Sequence, residues 1–149
     1  MYLEDFRIGQ NFRSGGMTLT ESMLVEFAAM YDPQPIHIDA IAAQRGPFAG
    51  LIASGFQTLA MSFRVMHMIG LTDGGGVGGS GIDEMRWPRP VRPGDTLRVE
   101  AEVKDIRISK RDPDRGTVSL AYTTFNQHGE IVLTAVFNQL FRRRQPGET

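Results

Sequence analysis

The chain holds 149 residues, carries a formal net charge of -1 and contains no cysteine. That length predicts a single domain over residues 1–149 with a sizeable core, and the near-neutral charge gives no reason to expect nucleic acid or an anionic membrane as partner. The missing cysteine removes disulfides, thiolate zinc sites and a cysteine nucleophile, and fits a reducing, cytoplasmic setting.

Residues 1–19 read as a lead-in and one short strand, with a turn around Gly15-Gly16. Acidic Glu4 and Asp5 stand where a signal peptide would be basic. Thr20 then precedes a short helix over 21–30, with Leu24, Phe27 and Ala28 at helical spacing. Asp39 is placed to cap a second short helix over 40–45. From Gly46 to Phe63 no residue is charged, but Pro47, Gly50, Ser54, Gly55, Gln57 and Thr58 make this stretch too polar and broken for a membrane span. It predicts a buried loop and then a buried helix capped by Ser54. Phe56, Leu59, Ala60, Phe63 and Met66 recur at three- and four-residue steps, so the helix should be enclosed and end at Gly70.

Residues 70–81 are rich in glycine and read as a flexible linker. Two GxGxxG matches fall there, but a dinucleotide loop needs a strand before it and a helix after, and the order here is reversed. Strands are expected at 82–87, 97–103, 117–125 and 130–141, the last placed inside the sheet because both its faces are apolar. Residues 142–149 read as a solvated polar tail. One enclosed helix followed by hairpin-linked strands predicts an α+β fold: a curved antiparallel sheet of about five strands around one long helix. Its free edges favour pairing of two copies.

Between the first two helices lies Tyr31-Asp32-Pro33-Gln34-Pro35-Ile36-His37-Ile38-Asp39. Two prolines push Asp32 and Gln34 toward extended angles, so the segment reads as a stiff, irregular loop holding a carboxylate and an imidazole in fixed relation. Two readings are open on these residues: an acid–base pair for water chemistry, or a proline-rich turn with a solvated Asp and a half-buried His. If Ser54 caps the long helix, Gly55 lies in its first turn, where unpaired N–H groups and the positive end of the helix dipole could hold a developing oxyanion. A plain cap is the alternative. His67 and Asp39 read as structural and His128 as solvated. Asp83 and Glu84 are neighbours on a strand and point apart. Arg86, Arg89 and Arg92 read as surface charge, although the phosphates of a ligand could meet them. Three scattered histidines give no metal-ligand spacing.

The stretch from Tyr31 to Asp39, together with Gly50-Leu51-Ile52-Ala53-Ser54-Gly55 and Trp87-Pro88-Arg89-Pro90-Val91-Arg92-Pro93-Gly94-Asp95, resembles the MaoC-like dehydratases, which include R-specific enoyl-CoA hydratases and adopt the hotdog fold. Asp32, Pro35, His37 and Asp39 keep the family pattern; Tyr31 stands where the family prefers Gly and Gln34 where it prefers Asn. The resemblance implies that Asp32 and His37 are the catalytic pair and that Gly55 N–H holds the thioester carbonyl. Ser54, Gln34 and Tyr31 would then contact substrate. It further implies a hydratase or dehydratase of fatty-acid metabolism acting on an enoyl-CoA and giving an (R)-3-hydroxyacyl-CoA. Coenzyme A would enter only as part of the substrate, with no metal or other cofactor, and the chain would form a homodimer or dimer of dimers. Thioester hydrolysis and acyl-CoA binding without catalysis are the competing functions. Which of Asp32 and His37 acts as base stays open.

Overall fold

Hydrogen bonding orders the strands β1 (Asn11–Arg13), β4 (Thr96–Ile108), β5 (Arg115–Phe125), β6 (Ile131–Arg142) and β3 (Gly76–Arg86), with β2 (Met17–Thr18) also on β4. Every pairing is antiparallel. The computed structural model describes residues 1–145 and 147. Four helices join the strands: α1 (Glu21–Tyr31), α2 (Pro35–Ile38), α3 (Ala40–Arg45) and α4 (Gly55–His67). The curved sheet wraps α4 in the hotdog arrangement. It has six strands where about five were expected, because the lead-in makes two short strands around Gly15-Gly16 instead of one.

The core lies between α4 and one face of the sheet. Alternation along β4 buries Leu97, Val99, Ala101 and Val103. Val99, Ala101 and Val103 meet Val118, Leu120 and Tyr122 from β5, Leu133, Ala135 and Phe137 from β6, and Val65 and Met66 from α4. A second cluster joins Leu19, Leu24, Ala53, Met61, Val91 and Val132 and fixes α1 and the start of α4 over the sheet.

Four expectations need correction. The α4 helix is not enclosed. Its buried face carries Gln57, Thr58, Met61, Ser62, Val65 and Met66, whereas Phe56 is 59% and Phe63 40% exposed. Most inward polar groups are paired: Thr124 Oγ1 donates to Ser62 Oγ at 2.8 Å, Ser62 Oγ to Thr58 O at 2.7 Å, and Gln57 Nε2 to Met23 O at 2.8 Å, while Gln57 Oε1 is buried without a hydrogen-bond partner. The glycine-rich stretch is not a linker throughout. From Gly76 it is strand β3, held by β6 through a register broken at three points. Glycine at 76 is needed because a Cβ there would come within 2.5 Å of Thr72 O.

The Asp32–His37 stretch is not wholly irregular, since Pro35 opens the one-turn helix α2 at a position where its missing N–H costs nothing. Arg142 and Arg143 are exposed and Arg144 half-buried, but the three are not a loose end without partners. Arg142 closes β6 and donates to Gly74 O, Arg143 pairs with Glu4 at 2.8 Å and Arg144 with Asp5 at 2.6 Å. Of the expected tail, positions 146, 148 and 149 lie outside the described residues. Among the described residues no helix is long and apolar enough to cross a membrane.

Candidate active site

Helix α1 starts where Thr20 Oγ1 accepts from Met23 N and stops at Asp32, whose φ of -154° and ψ of 68° lie outside the helical region that a following proline disfavours. A tight turn, Gln34 N to Asp32 O at 2.8 Å, leads into α2, and Asp39 then caps α3 by accepting from Ile41 N and Ala42 N. Beyond α3 the chain returns beside α2: Ile52 N donates to Ile36 O at 3.2 Å and Ala53 N to Val91 O at 2.8 Å. These bonds bring the N-terminus of α4 against the Asp32–His37 segment.

Asp32 is held on both oxygens. Ser54 Oγ donates to Oδ2 at 2.6 Å and Gln34 Nε2 to Oδ1 at 2.8 Å. His37 is 4% exposed; its Nδ1 lies 2.7 Å from Ile52 O and its Nε2 3.4 Å from Asp32 Oδ2. A carbonyl oxygen only accepts, so Nδ1 carries the hydrogen and Nε2 is the ring nitrogen turned toward the carboxylate. The Ser54 hydroxyl first, then the Gln34 amide, and lastly the nearby His37 hold the Asp32 carboxyl below its ordinary pKa, against a smaller opposing push from burial. Asp32 is therefore a carboxylate at neutral pH.

Asp32, Gln34, His37, Gly55, Phe56 and Trp87 are among the side chains around a cavity of about 420 Å³. Gly55 is the first residue of α4, and its N–H has no acceptor among the described residues. Ser54 is fully buried, with its hydroxyl committed to Asp32 and to the Phe56 amide at 3.2 Å, so it orients the carboxylate. Two residues expected to contact substrate do not line this cavity: Ser54 is buried behind it and Tyr31 lies outside it. Tyr31 is 67% exposed, meets Phe27 in a tilted pair with centroids 5.0 Å apart and borders a separate groove with Met23, Met30 and Met61.

The remaining polar candidates have local partners. His67 stacks on Phe63 and its Nδ1 lies 2.8 Å from Phe63 O, Asp83 accepts from Asn138 Nδ2 at 2.7 Å, and Gln127 Nε2 lies 3.2 Å from His128 Nε2. Arg86 donates to Met85 O and Arg92 to Phe48 O, while Arg89 borders the cavity and faces Glu130 at 3.5 Å. No three His, Asp or Glu side chains form a metal-binding group among the described residues. Trp87 was not among the expected site residues. The available signal was that it is the chain's only tryptophan, set just before Pro88 and Pro90.

A helix wrapped in an antiparallel sheet, with a carboxylate and an imidazole meeting at its N-terminus, defines a hotdog protein of the dehydratase type. The chain belongs to the MaoC like domain family, whose pattern matches residues 5–125. It is 34% identical over 143 residues to the uncharacterized protein YdeM of Bacillus subtilis, covering 96% of this chain and all of that one. It is 32% identical over 120 residues to 3-hydroxyacyl-thioester dehydratase Z of Mycobacterium tuberculosis, covering 79% of this chain and 75% of the relative. The crystal structure of a MaoC-like dehydratase from Rhodospirillum rubrum superposes with a TM-score of 0.89 at 39% identity, covering 97% of this chain and 99% of that one.

Proposed function

We propose that this protein adds water to, or removes it from, the C2–C3 bond of an acyl thioester, with an enoyl-CoA and the (R)-3-hydroxyacyl-CoA as the two sides of the reaction. The observation that carries this reading is the convergence of Asp32 Oδ2 and His37 Nε2, 3.4 Å apart, in a cavity that Gly55 also lines. Membership of the MaoC like domain family and likeness to a 3-hydroxyacyl-thioester dehydratase support it.

In the hydration direction, Asp32 takes a proton from water as the water oxygen bonds to C3. The C2–C3 π electrons shift toward the thioester carbonyl, whose developing negative charge is met by Gly55 N–H. Protonated His37 then delivers its Nε2 proton to C2, and the carbonyl re-forms. Asp32 is left protonated and His37 neutral, and the proton passes back across the short gap to reset the pair. Dehydration runs the same steps in reverse. One C–O and one C–H bond form at the expense of the C2–C3 π bond with no net oxidation or reduction, so the step calls for no electron carrier and coenzyme A enters as part of the substrate.

The protein would act as a homodimer. β3 is an exposed sheet edge, and beside it Phe56, Leu59, Ala60, Phe63, Ile82 and Phe137 line an apolar cleft of about 420 Å³. A second copy laid along that edge would pair its free backbone groups and cover the phenyl rings.

Incubation with crotonyl-CoA tests the reaction, following both the conjugated double bond and free thiol. Loss of unsaturation without thiol release is expected. Thiol release would mean hydrolysis, and ligand-induced thermal stabilisation with neither change would mean binding alone.

A further inference from the structure

Gly55 is held by something other than the helix it begins. Trp87 stands where the chain leaves β3, 42% exposed at the cavity wall. Its indole Nε1 donates to Gly55 O at 3.0 Å. The ring lies so close to Gly55 that a Cβ there would meet Cε2 at 2.8 Å, Cζ2 at 3.0 Å and Nε1 at 3.1 Å. Phe56, the next residue of α4, meets the same ring edge-on with centroids 6.4 Å apart.

These contacts answer a difficulty in using Gly55 as a carbonyl donor. Glycine has the widest choice of backbone angles, and the first residue of a helix is held by the ladder on one side only. A donor lowers a barrier when its direction is fixed before charge develops, since turning it during the reaction would cost what the interaction gains. The indole supplies the missing restraint. Its N–H fixes the Gly55 carbonyl, which belongs to the peptide that follows, and its ring lies against the Gly55 Cα, so the residue whose N–H faces the cavity is anchored on its C-terminal side. The ring also explains the glycine, because any side chain at 55 would collide with it.

We propose that Trp87 is a positioning residue for the reaction: by holding the Gly55 carbonyl and packing on its Cα it limits the turning of Gly55, so that the N–H of the preceding peptide stays aimed at the thioester carbonyl. This rests on the reading of Gly55 as the carbonyl donor. The restraint acts on the developing oxyanion more than on the bound substrate, so its loss lowers kcat and leaves KM nearly unchanged.

The test compares Trp87→Phe and Trp87→Tyr with wild type on crotonyl-CoA. Both variants keep an aromatic ring, both lack the indole N–H, and a melting curve checks that each is folded. The expected result is a kcat lowered about five- to tenfold, the worth of one ordinary hydrogen bond, with KM within about twofold. A folded variant with wild-type kcat, or with only KM raised, overturns the proposal and makes Trp87 a wall of the cavity. A second readout uses the wild-type ring. As the only tryptophan in the chain, Trp87 reports the cavity by fluorescence. Titrating Asp32→Asn protein with crotonyl-CoA should change that emission, and an unchanged spectrum at saturating ligand overturns the placement of Trp87 beside the bound thioester. The two readings fail separately. If wild type hydrates crotonyl-CoA, Asp32→Asn abolishes the reaction and Trp87→Phe does not slow it, only the role of Trp87 falls. If wild type does not hydrate, the hydratase reading falls and takes this one with it.

Discussion

The α4 helix carries two clefts of about 420 Å³ each, and they meet at Phe56. At the head of the helix, the polar groups are held from within the chain: Asp32 by Ser54 and Gln34, His37 by Ile52, Gly55 O by Trp87. Along its flank, Phe56 and Phe63 stand open beside Gly79 and Gly81, which offer no side chains to cover them. The head has the rigidity that chemistry requires, since a catalytic pair works only when its geometry is fixed in advance. The flank has the openness of a surface that a second copy would complete. One helix thus separates a site whose polar groups are held by the chain itself from an apolar cleft that the chain leaves open.

The sharpest way to break this contrast is at the head. Asp32→Asn and His37→Ala should each lower hydration of crotonyl-CoA by about 100- to 10,000-fold, the usual worth of a general acid or base. Far-UV circular dichroism should be unchanged. Wild-type rates in both variants would remove the site from the comparison altogether. Next comes the flank. Phe63→Glu places a charge where a phenyl ring would be buried by the partner, and the isologous symmetry of a dimer doubles the loss. Burial of one Phe is worth about 1.5–3 kcal/mol, so the dimer should weaken by about 100-fold or more in sedimentation velocity. A dimer of undiminished affinity would place the interface elsewhere.

The same division decides what could be read from the chain. The head was legible because its signals are local. Pro33 ends α1 at Asp32, Ser54 caps α4, and Asp39 caps α3, all within a few residues of the groups they govern. The flank was not legible, because its state depends on distant partners. Phe56 and Phe63 share the spacing of a core face, yet the sheet meets the face bearing Met61, Val65 and Met66, whose inward polar neighbour Ser62 is accommodated by Thr124 from β5. Glycines 76–81 look like a linker until β6 supplies the ladder. Trp87 reaches Gly55 across 32 residues, and no local pattern announces such a contact. Tyr31 adjoins Asp32 in the chain, but its side chain leaves the other way, onto Phe27.

Ser54→Ala probes how the head is held without removing a reacting group. The variant loses the α4 cap, a cost of about 0.5–2 kcal/mol in urea unfolding. It also loses the leading cause of Asp32's lowered pKa. The sign follows from the direction. A carboxyl whose folded-state pKa is depressed adds stability that is present above its unfolded-state value and is lost as pH falls through the folded-state value. Without the Ser54 hydroxyl the folded-state value rises, so part of that added stability disappears at neutral pH. The acid side of the pH–rate profile should move to higher pH for the same reason. An acid limb unmoved by the substitution would show that the Ser54–Asp32 bond does not set the charge on the carboxylate.

The smallest effect is expected one residue away from the Asp32 carboxylate. Tyr31→Ala removes a side chain that lies outside the cavity and touches Phe27 on the far side of α1. An aromatic pair of this kind is worth about 0.5–1.5 kcal/mol, so a modest drop in melting temperature should appear with kcat and KM for crotonyl-CoA unchanged. Gln34→Ala, three positions further along and inside the cavity, should by contrast shift the pH–rate profile, because its amide holds Asp32 Oδ1. If Tyr31→Ala alters turnover and Gln34→Ala does not, the boundary of the site runs on the other side of Asp32, and the groove lined by Met23, Met30 and Met61 becomes part of the substrate's path.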